Sequence, residues 1–195
     1  TMTTRYNLRN PEMIIAGSAL LVSLITAFVS IYSAFIDRAY ARASVWPRLE
    51  IHRSYNDEVK DTYFLYAVTN KGTGPAVIKY ARLTSNEQPI VKWADYLTLR
   101  SGRVVPHTQS HLGSLVLTAG EKLTPLHVRD EQAAKLLVEN DNLQIELCYC
   151  SIYDECWLVD RYNEPKPIAQ CNIDQNQHYQ AFADHILWCC SGLCK

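Results

Sequence analysis

The run from Met13 to Ile36, MIIAGSALLVSLITAFVSIYSAFI, constrains this chain more than any other stretch. It contains no Asp, Glu, Lys, Arg, His, Asn, Gln or Pro. At a rise of ~1.5 Å per residue it is long enough to cross a hydrocarbon core of about 30 Å. Inside lipid, a single segment satisfies all of its backbone N–H and C=O groups only as a helix. The run therefore predicts a transmembrane helix over 13–36. It exceeds the apolar region of a signal peptide, and the Ala-Arg-Ala-Ser that follows is a poor cleavage site, so it is expected to stay as an anchor.

Small and hydroxylated residues recur along the run at spacings that alternate between three and four: Ala16, Ala19, Ser23, Thr26, Ser30 and Ser33. That is a heptad seam, the pattern that suits close, left-handed packing of one membrane helix on another. The competing reading is that the hydroxyls bond back to carbonyls of their own helix. The partners expected are the bilayer and other transmembrane helices, either as a homo-oligomer or as an accessory subunit of a membrane complex.

Residues 1–12 form a polar tail, with Asn10-Pro11 a suitable helix start. After Ile36, residues 37–47 read as a juxtamembrane helical connector that ends before Pro47. Orientation is finely balanced. Arg5 and Arg9 precede the span, whereas Arg38, Arg42, Arg48 and Arg53 follow it. The seven cysteines and a β-rich domain favour the exoplasmic side.

The remaining chain, about 160 residues, is enough for one domain with a proper core. Its strand candidates are RLEIHRS from Arg48, TYFLYAVTN from Thr62, AVIKYARLT from Ala76, the pieces Ser114–Thr118 and Glu121–Val128, Leu143–Ile152 and Cys156–Tyr162. Lys71-Gly72-Thr73-Gly74-Pro75 and Ser85-Asn86-Glu87-Gln88 are turns. Short helices are expected over Val91–Leu99 and over Asp130–Glu139, the second capped by Asp130. Ser101–Gly113 reads as a loop and Pro165-Lys166-Pro167 as a linker. About seven short strands without a βαβ rhythm predict an immunoglobulin-like antiparallel β-sandwich over 48–172, followed by a C-terminal helical segment over 173–195. In that segment Tyr179, Phe182, Ile186, Cys189, Cys190 and Leu193 would share one stripe.

The combination SVWPRLEI, VTNKGTGPAVIKYARLT and LCYCSIYDECW resembles a group of uncharacterised bacterial membrane proteins with one N-terminal span and a β-sandwich domain. The resemblance runs from Met13 to about Cys171. It implies a bacterial inner-membrane protein and the same fold, and it implies no activity.

No catalytic motif is legible. Gly72-Thr73-Gly74 lacks the spacing of a phosphate-binding loop. His107 and His111 are four apart, but Pro106, Ser110 and Gly113 place them in a loop rather than on one helix face. A net charge of −1 argues against nucleic acid as a partner. No cofactor is expected.

The cysteines carry the sharper signal. Cys148 and Cys150 point to one face of a strand, and a turn at 152–154 would set Cys150 opposite Cys156. Cys150–Cys156 is therefore the first disulfide candidate, with Cys171 then able to reach Cys148. Two alternatives stay open. The four could be buried free thiols, or a four-thiolate metal site, although paired C-x₂-C knuckles are missing. Cys189, Cys190 and Cys194 bring the total to an odd number. The expectation is a non-enzymatic, membrane-anchored accessory or interaction module. The alternative is a thiol-redox or metal-handling membrane protein that uses Cys148, Cys150, Cys156 and Cys171.

Overall fold

The structure is a computed structural model that describes residues 11–58, 61–139, 142–174 and 177–180. The chain divides into two compact units, Thr1–Ser44 and Val45–Lys195. Of the expected polar tail, 1–10 lies outside the described residues. Glu12 belongs to the helix that follows.

The first unit holds α1 (Pro11–Ser44), which starts with Pro11 in its first turn, where a missing N–H costs nothing. It continues past Ile36 through Arg38 and Arg42, because no Gly or Pro interrupts that stretch. None of its residues is buried, and Leu20, Phe28, Ile31 and Phe35 all stand exposed. It is long and apolar enough to cross a membrane.

The second unit contains β1 (Leu49–Asn56), β2 (Tyr63–Asn70), β3 (Ala76–Ser85), β4 (Gln88–Pro89), α2 (Trp93–Ser101), β5 (His107–Gln109), β6 (Leu115–Leu117), β7 (Lys122–Val128), α3 (Glu131–Glu139), β8 (Leu143–Cys150), β9 (Cys156–Asp160) and β10 (Lys166–Ile168). Two antiparallel sheets result, one ordered β1-β2-β7-β5 and one ordered β10-β9-β8-β3-β4, with β6 also paired to β3. The side-chain period of two sends alternate residues to a shared core. Leu49, Ile51, Phe64, Tyr66, Val68, Leu126 and Val128 come from the first sheet, and Ile78, Leu83, Ile145, Leu147, Tyr149 and Val159 from the second. The helices add Trp93, Tyr96 and Leu97 from α2 and Ala133, Ala134 and Leu137 from α3.

Several local expectations are corrected. Within Ser101–Gly113, His107–Gln109 forms an edge strand on β7, too short and polar to show alternation. The expected linker at Pro165–Pro167 enters β10, where Pro167 is tolerated because β10 is an edge strand. Residues 177–180 are not helical beyond a single 3₁₀ position, and the rest of the stripe, from Phe182 to Leu193, lies outside the described residues.

The turn at 71–75 is organised by Asn70, which is fully buried. Its Oδ1 accepts from the N–H of Arg48 (3.2 Å) and Gly72 (3.0 Å), and its Nδ2 donates to the carbonyls of Gly74 (2.8 Å) and Leu117 (3.0 Å). All of its main bonding positions are used, as burial of an amide demands. Gly72 and Gly74 pack directly on the backbone of 45–48. A Cβ on Gly72 would collide with the Trp46 carbonyl, and one on Gly74 with the Val45 carbonyl.

Candidate functional site

The residues with most chemical potential lie on the outer face of the second sheet. Tyr149 points into the core, so its neighbours Cys148 and Cys150 must point away from it. Both are nevertheless buried, which means that chain covers this face. Cys150 sits directly opposite Cys156 across the β8–β9 hairpin, with Cα atoms 4.0 Å apart. The hairpin turn is tight. The Ser151 N–H donates to the Glu155 carbonyl, and Ser151 Oγ accepts from the N–H of Tyr153 and Glu155. Asp154 takes a left-handed conformation at φ 58°.

Cys171 follows β10 and lies 5.8 Å from Cys148 between Cα atoms. The sulfurs of Cys148 and Cys171, and those of Cys150 and Cys156, are at disulfide distance. The two pairs touch each other, with Cys150 Sγ 3.8 Å from Cys171 Sγ. Cys150, Cys156 and Cys171 place their sulfurs within 4.8 Å of one another. Cys148 and Cys150 are shielded from water, whereas Cys171 is half-buried.

From Cys171 the chain passes to a second anchor. The Tyr179 N–H donates to the Ala81 carbonyl (2.9 Å), and the Gln180 N–H donates to the Val91 carbonyl (3.0 Å). The first bond lies on the β3 edge between β6 and β4, and the second ties the chain to the segment that follows β4. The Tyr179 ring is fully buried beside Trp93, with centroids 6.3 Å apart, and burial drives its phenol well above the usual tyrosine range. Tyr179 is thus not on the helical stripe that the sequence predicts. The available signal was its aromatic character, which marks a buried residue but not the backbone that delivers it.

The histidines rearrange in the same way. His107 Nδ1 faces the Val105 carbonyl at 2.8 Å. The rings of His111 and His178 both abut Gly113. Among the described residues no third His, Cys or carboxylate joins them.

Three hydroxyls of the α1 seam are engaged within the helix. Ser23 donates to the Ala19 carbonyl (2.7 Å), Thr26 to those of Val22 (3.0 Å) and Ser23 (2.9 Å), and Ser30 to that of Thr26 (2.8 Å). Packing along Ala16, Ala19, Ser23, Thr26, Ser30 and Ser33 would therefore rest on small size more than on shared hydrogen bonds.

One open groove of about 470 Å³ runs beside α2, lined by Ile90, Val91, Lys92, Tyr96, Leu99 and Arg100. Leu99 stands 82% exposed. No protein-family model matches this chain, and no curated protein matches it.

Proposed function

We propose that this chain is a membrane-anchored interaction module, with α1 as its transmembrane anchor and an immunoglobulin-like domain as its working part. The observation that carries the anchor is α1 itself, 34 residues long without one buried side chain. An apolar helix of that length left in water would expose far more hydrocarbon than a soluble monomer tolerates, and a bilayer removes the cost. Arg38 and Arg42 follow the apolar run and suit the headgroup region, where their stems can lie along the bilayer while the guanidinium groups reach water.

Strand order supports the immunoglobulin-like reading. With β1, β2, β7 and β5 taken as strands A, B, E and D, the second sheet runs G-F-C-C′ through β9, β8, β3 and β4. Beyond the added strands β6 and β10, two features depart from that pattern. The Cys150–Cys156 pair lies within the F–G hairpin rather than between sheets, and the core tryptophan, Trp93, comes from a helix. A module of this kind acts by presenting strand edges, the 101–113 segment and the groove beside α2 to partners, while the anchor sets location.

The bacterial inner membrane is the proposed location, with the domain on the exoplasmic side, where an oxidising compartment would keep the cysteines paired. The test is expression of the full chain, with Cys189, Cys190 and Cys194 replaced by serine, in bacterial cells, followed by alkaline carbonate extraction and labelling of intact cells with a membrane-impermeant maleimide. Retention in the membrane pellet, with label entering from outside only after reduction, is expected. Release by carbonate would overturn the anchor, and labelling that requires membrane rupture would overturn the orientation.

A further inference from the structure

We infer that the four cysteines of the second sheet form a redox-gated metal site: paired when oxidised, and in the reduced chain a four-thiolate site for one zinc ion. The inference is independent of the membrane anchor. It rests on convergence. Cys148 and Cys150 share one face of β8, Cys156 is the cross-strand partner of Cys150, and Cys171 arrives from beyond β10. The four come from three separate segments of the chain: the sulfurs of Cys150, Cys156 and Cys171 lie within 4.8 Å of one another, and that of Cys148 is paired to Cys171.

Distance supplies the second argument. Metal–sulfur bonds of about 2.3 Å at tetrahedral angles place neighbouring sulfurs about 3.8 Å apart. The contact between Cys150 Sγ and Cys171 Sγ, which belong to different pairs, is 3.8 Å. One edge of the tetrahedron is therefore already set, and Cys156 Sγ lies within 4.8 Å of both. Once the Cys148–Cys171 and Cys150–Cys156 bonds are gone, each side chain is free to turn about its Cα–Cβ bond, a movement the four-thiolate site requires of Cys148 most of all. The surroundings suit a structural site, since Cys148 and Cys150 are shielded and the ligand set leaves no position open.

The chemistry balances as follows. Each disulfide takes two electrons and two protons from a dithiol, which leaves as its own disulfide, so two dithiols convert the two S–S bonds to four thiols. Binding of Zn²⁺ then displaces the four thiol protons to water and forms four Zn–S bonds. Disulfides offer no thiolate, so oxidation and metal binding exclude each other. In either state Cys171 stays tied to β8, and the segment leading to Tyr179 keeps its first anchor.

The test uses the full chain in detergent micelles, with Cys189, Cys190 and Cys194 replaced by serine so that only these four thiols report. The protein is reduced anaerobically with a phosphine and titrated with Co²⁺, then with Zn²⁺. The expected result is one Co²⁺ per chain, with the visible bands of a tetrahedral ion and thiolate-to-cobalt charge transfer, displaced by Zn²⁺ and absent from the oxidised protein. Cys171→Ser and Cys148→Ser should each weaken Zn²⁺ binding by more than ~100-fold, beyond what loss of an outer-shell partner causes. If reduction alone unfolds the domain, Zn²⁺ should restore its near-ultraviolet circular dichroism. Reduced protein that takes up no stoichiometric Co²⁺, folded or unfolded, overturns the inference, as does an unchanged cobalt spectrum in Cys171→Ser.

Discussion

Asn163 binds the main chain of Ile51 on both sides: the Ile51 N–H donates to Asn163 Oδ1 at 2.6 Å, and Asn163 Nδ2 donates to the Ile51 carbonyl at 3.0 Å. The side chain thus acts as one rung of a strand. It stands in the turn after β9 of the second sheet and closes the outer edge of β1 in the first. One residue both joins the two sheets and satisfies an edge that would otherwise invite pairing. The φ of 59° at Asn163 is one that asparagine tolerates better than most residues. Asn163→Gly keeps that backbone and removes the bonds, and should lower unfolding stability by about 1–3 kcal/mol in urea titration. Unchanged stability would mean that water replaces the side chain without loss.

Asn70 predicts a larger effect. Its four bonds are all made in a fully buried site, so Asn70→Ala strands two N–H groups and two carbonyls at once. Each abandoned buried group costs about 1–3 kcal/mol. Asn70→Ala should therefore cost at least ~3 kcal/mol by thermal or urea unfolding, with Asn70→Asp no better, because an Asp carboxylate has no donor for the Gly74 and Leu117 carbonyls.

The start of α3 supplies an acid-side prediction. Asp130 accepts from the Ala133 N–H at 3.0 Å and from Arg103 Nη2 at 2.6 and 2.7 Å. These bonds, the Arg103 contact foremost, hold its carboxyl below the usual aspartate range. A lowered folded-state value means that the stabilisation is complete above the unfolded value of about 3.9 and fades as pH falls through the folded one. Asp130→Asn keeps an acceptor for the Ala133 N–H and loses the charge that binds Arg103, so it should cost up to about 1 kcal/mol at pH 7, and the two proteins should converge in strong acid. Thermal melts across the acid range read this directly.

Tyr179 predicts the alkaline side. Burial raises its phenol, as it does for Tyr66, Tyr80 and Tyr149, for which it is also the leading cause. A raised folded-state value means that the neutral form is favoured by folding. That stability is whole below the unfolded value of about 10 and is lost as pH rises above it. Tyr179→Phe should flatten part of the alkaline fall in stability and cost little at pH 7, because its OH lies 3.5 Å from Gln109 Oε1, a weak contact. Tyr179→Ala should cost about 3–5 kcal/mol through the cavity it leaves.

The seam of α1 is tested by cross-linking in membranes. Ala16→Cys and Ala19→Cys should form inter-helix disulfides under oxidant if copies of this chain pack along it, whereas Leu20→Cys or Ile31→Cys, off the seam, should not. Equal cross-linking at all four would exclude a specific face. Because Ser23, Thr26 and Ser30 bond within their own helix, replacing them with alanine should change association little.

Local chemistry determined a good deal of this protein from sequence alone. The absence of any charged residue, side-chain amide or proline from Met13 to Ile36 is enough for a long apolar helix, since nothing in that stretch can stop it. Alternation and turn residues are enough for β1, β2, β3, β7 and β8, and Asp130 marks the start of α3, because period and capping are properties of neighbours in the chain. Tertiary structure decided the rest. His107–Gln109 becomes a strand only because β7 offers an edge, and Pro167 sits in one because β10 has nothing beyond it to bond. Tyr179 leaves its expected helical stripe to bond the β3 edge between β6 and β4. Asn163 finds Ile51 across a distance along the chain over which no local period operates. Such pairings are settled by which surfaces the two sheets bring together, and that geometry exists only once the core has formed.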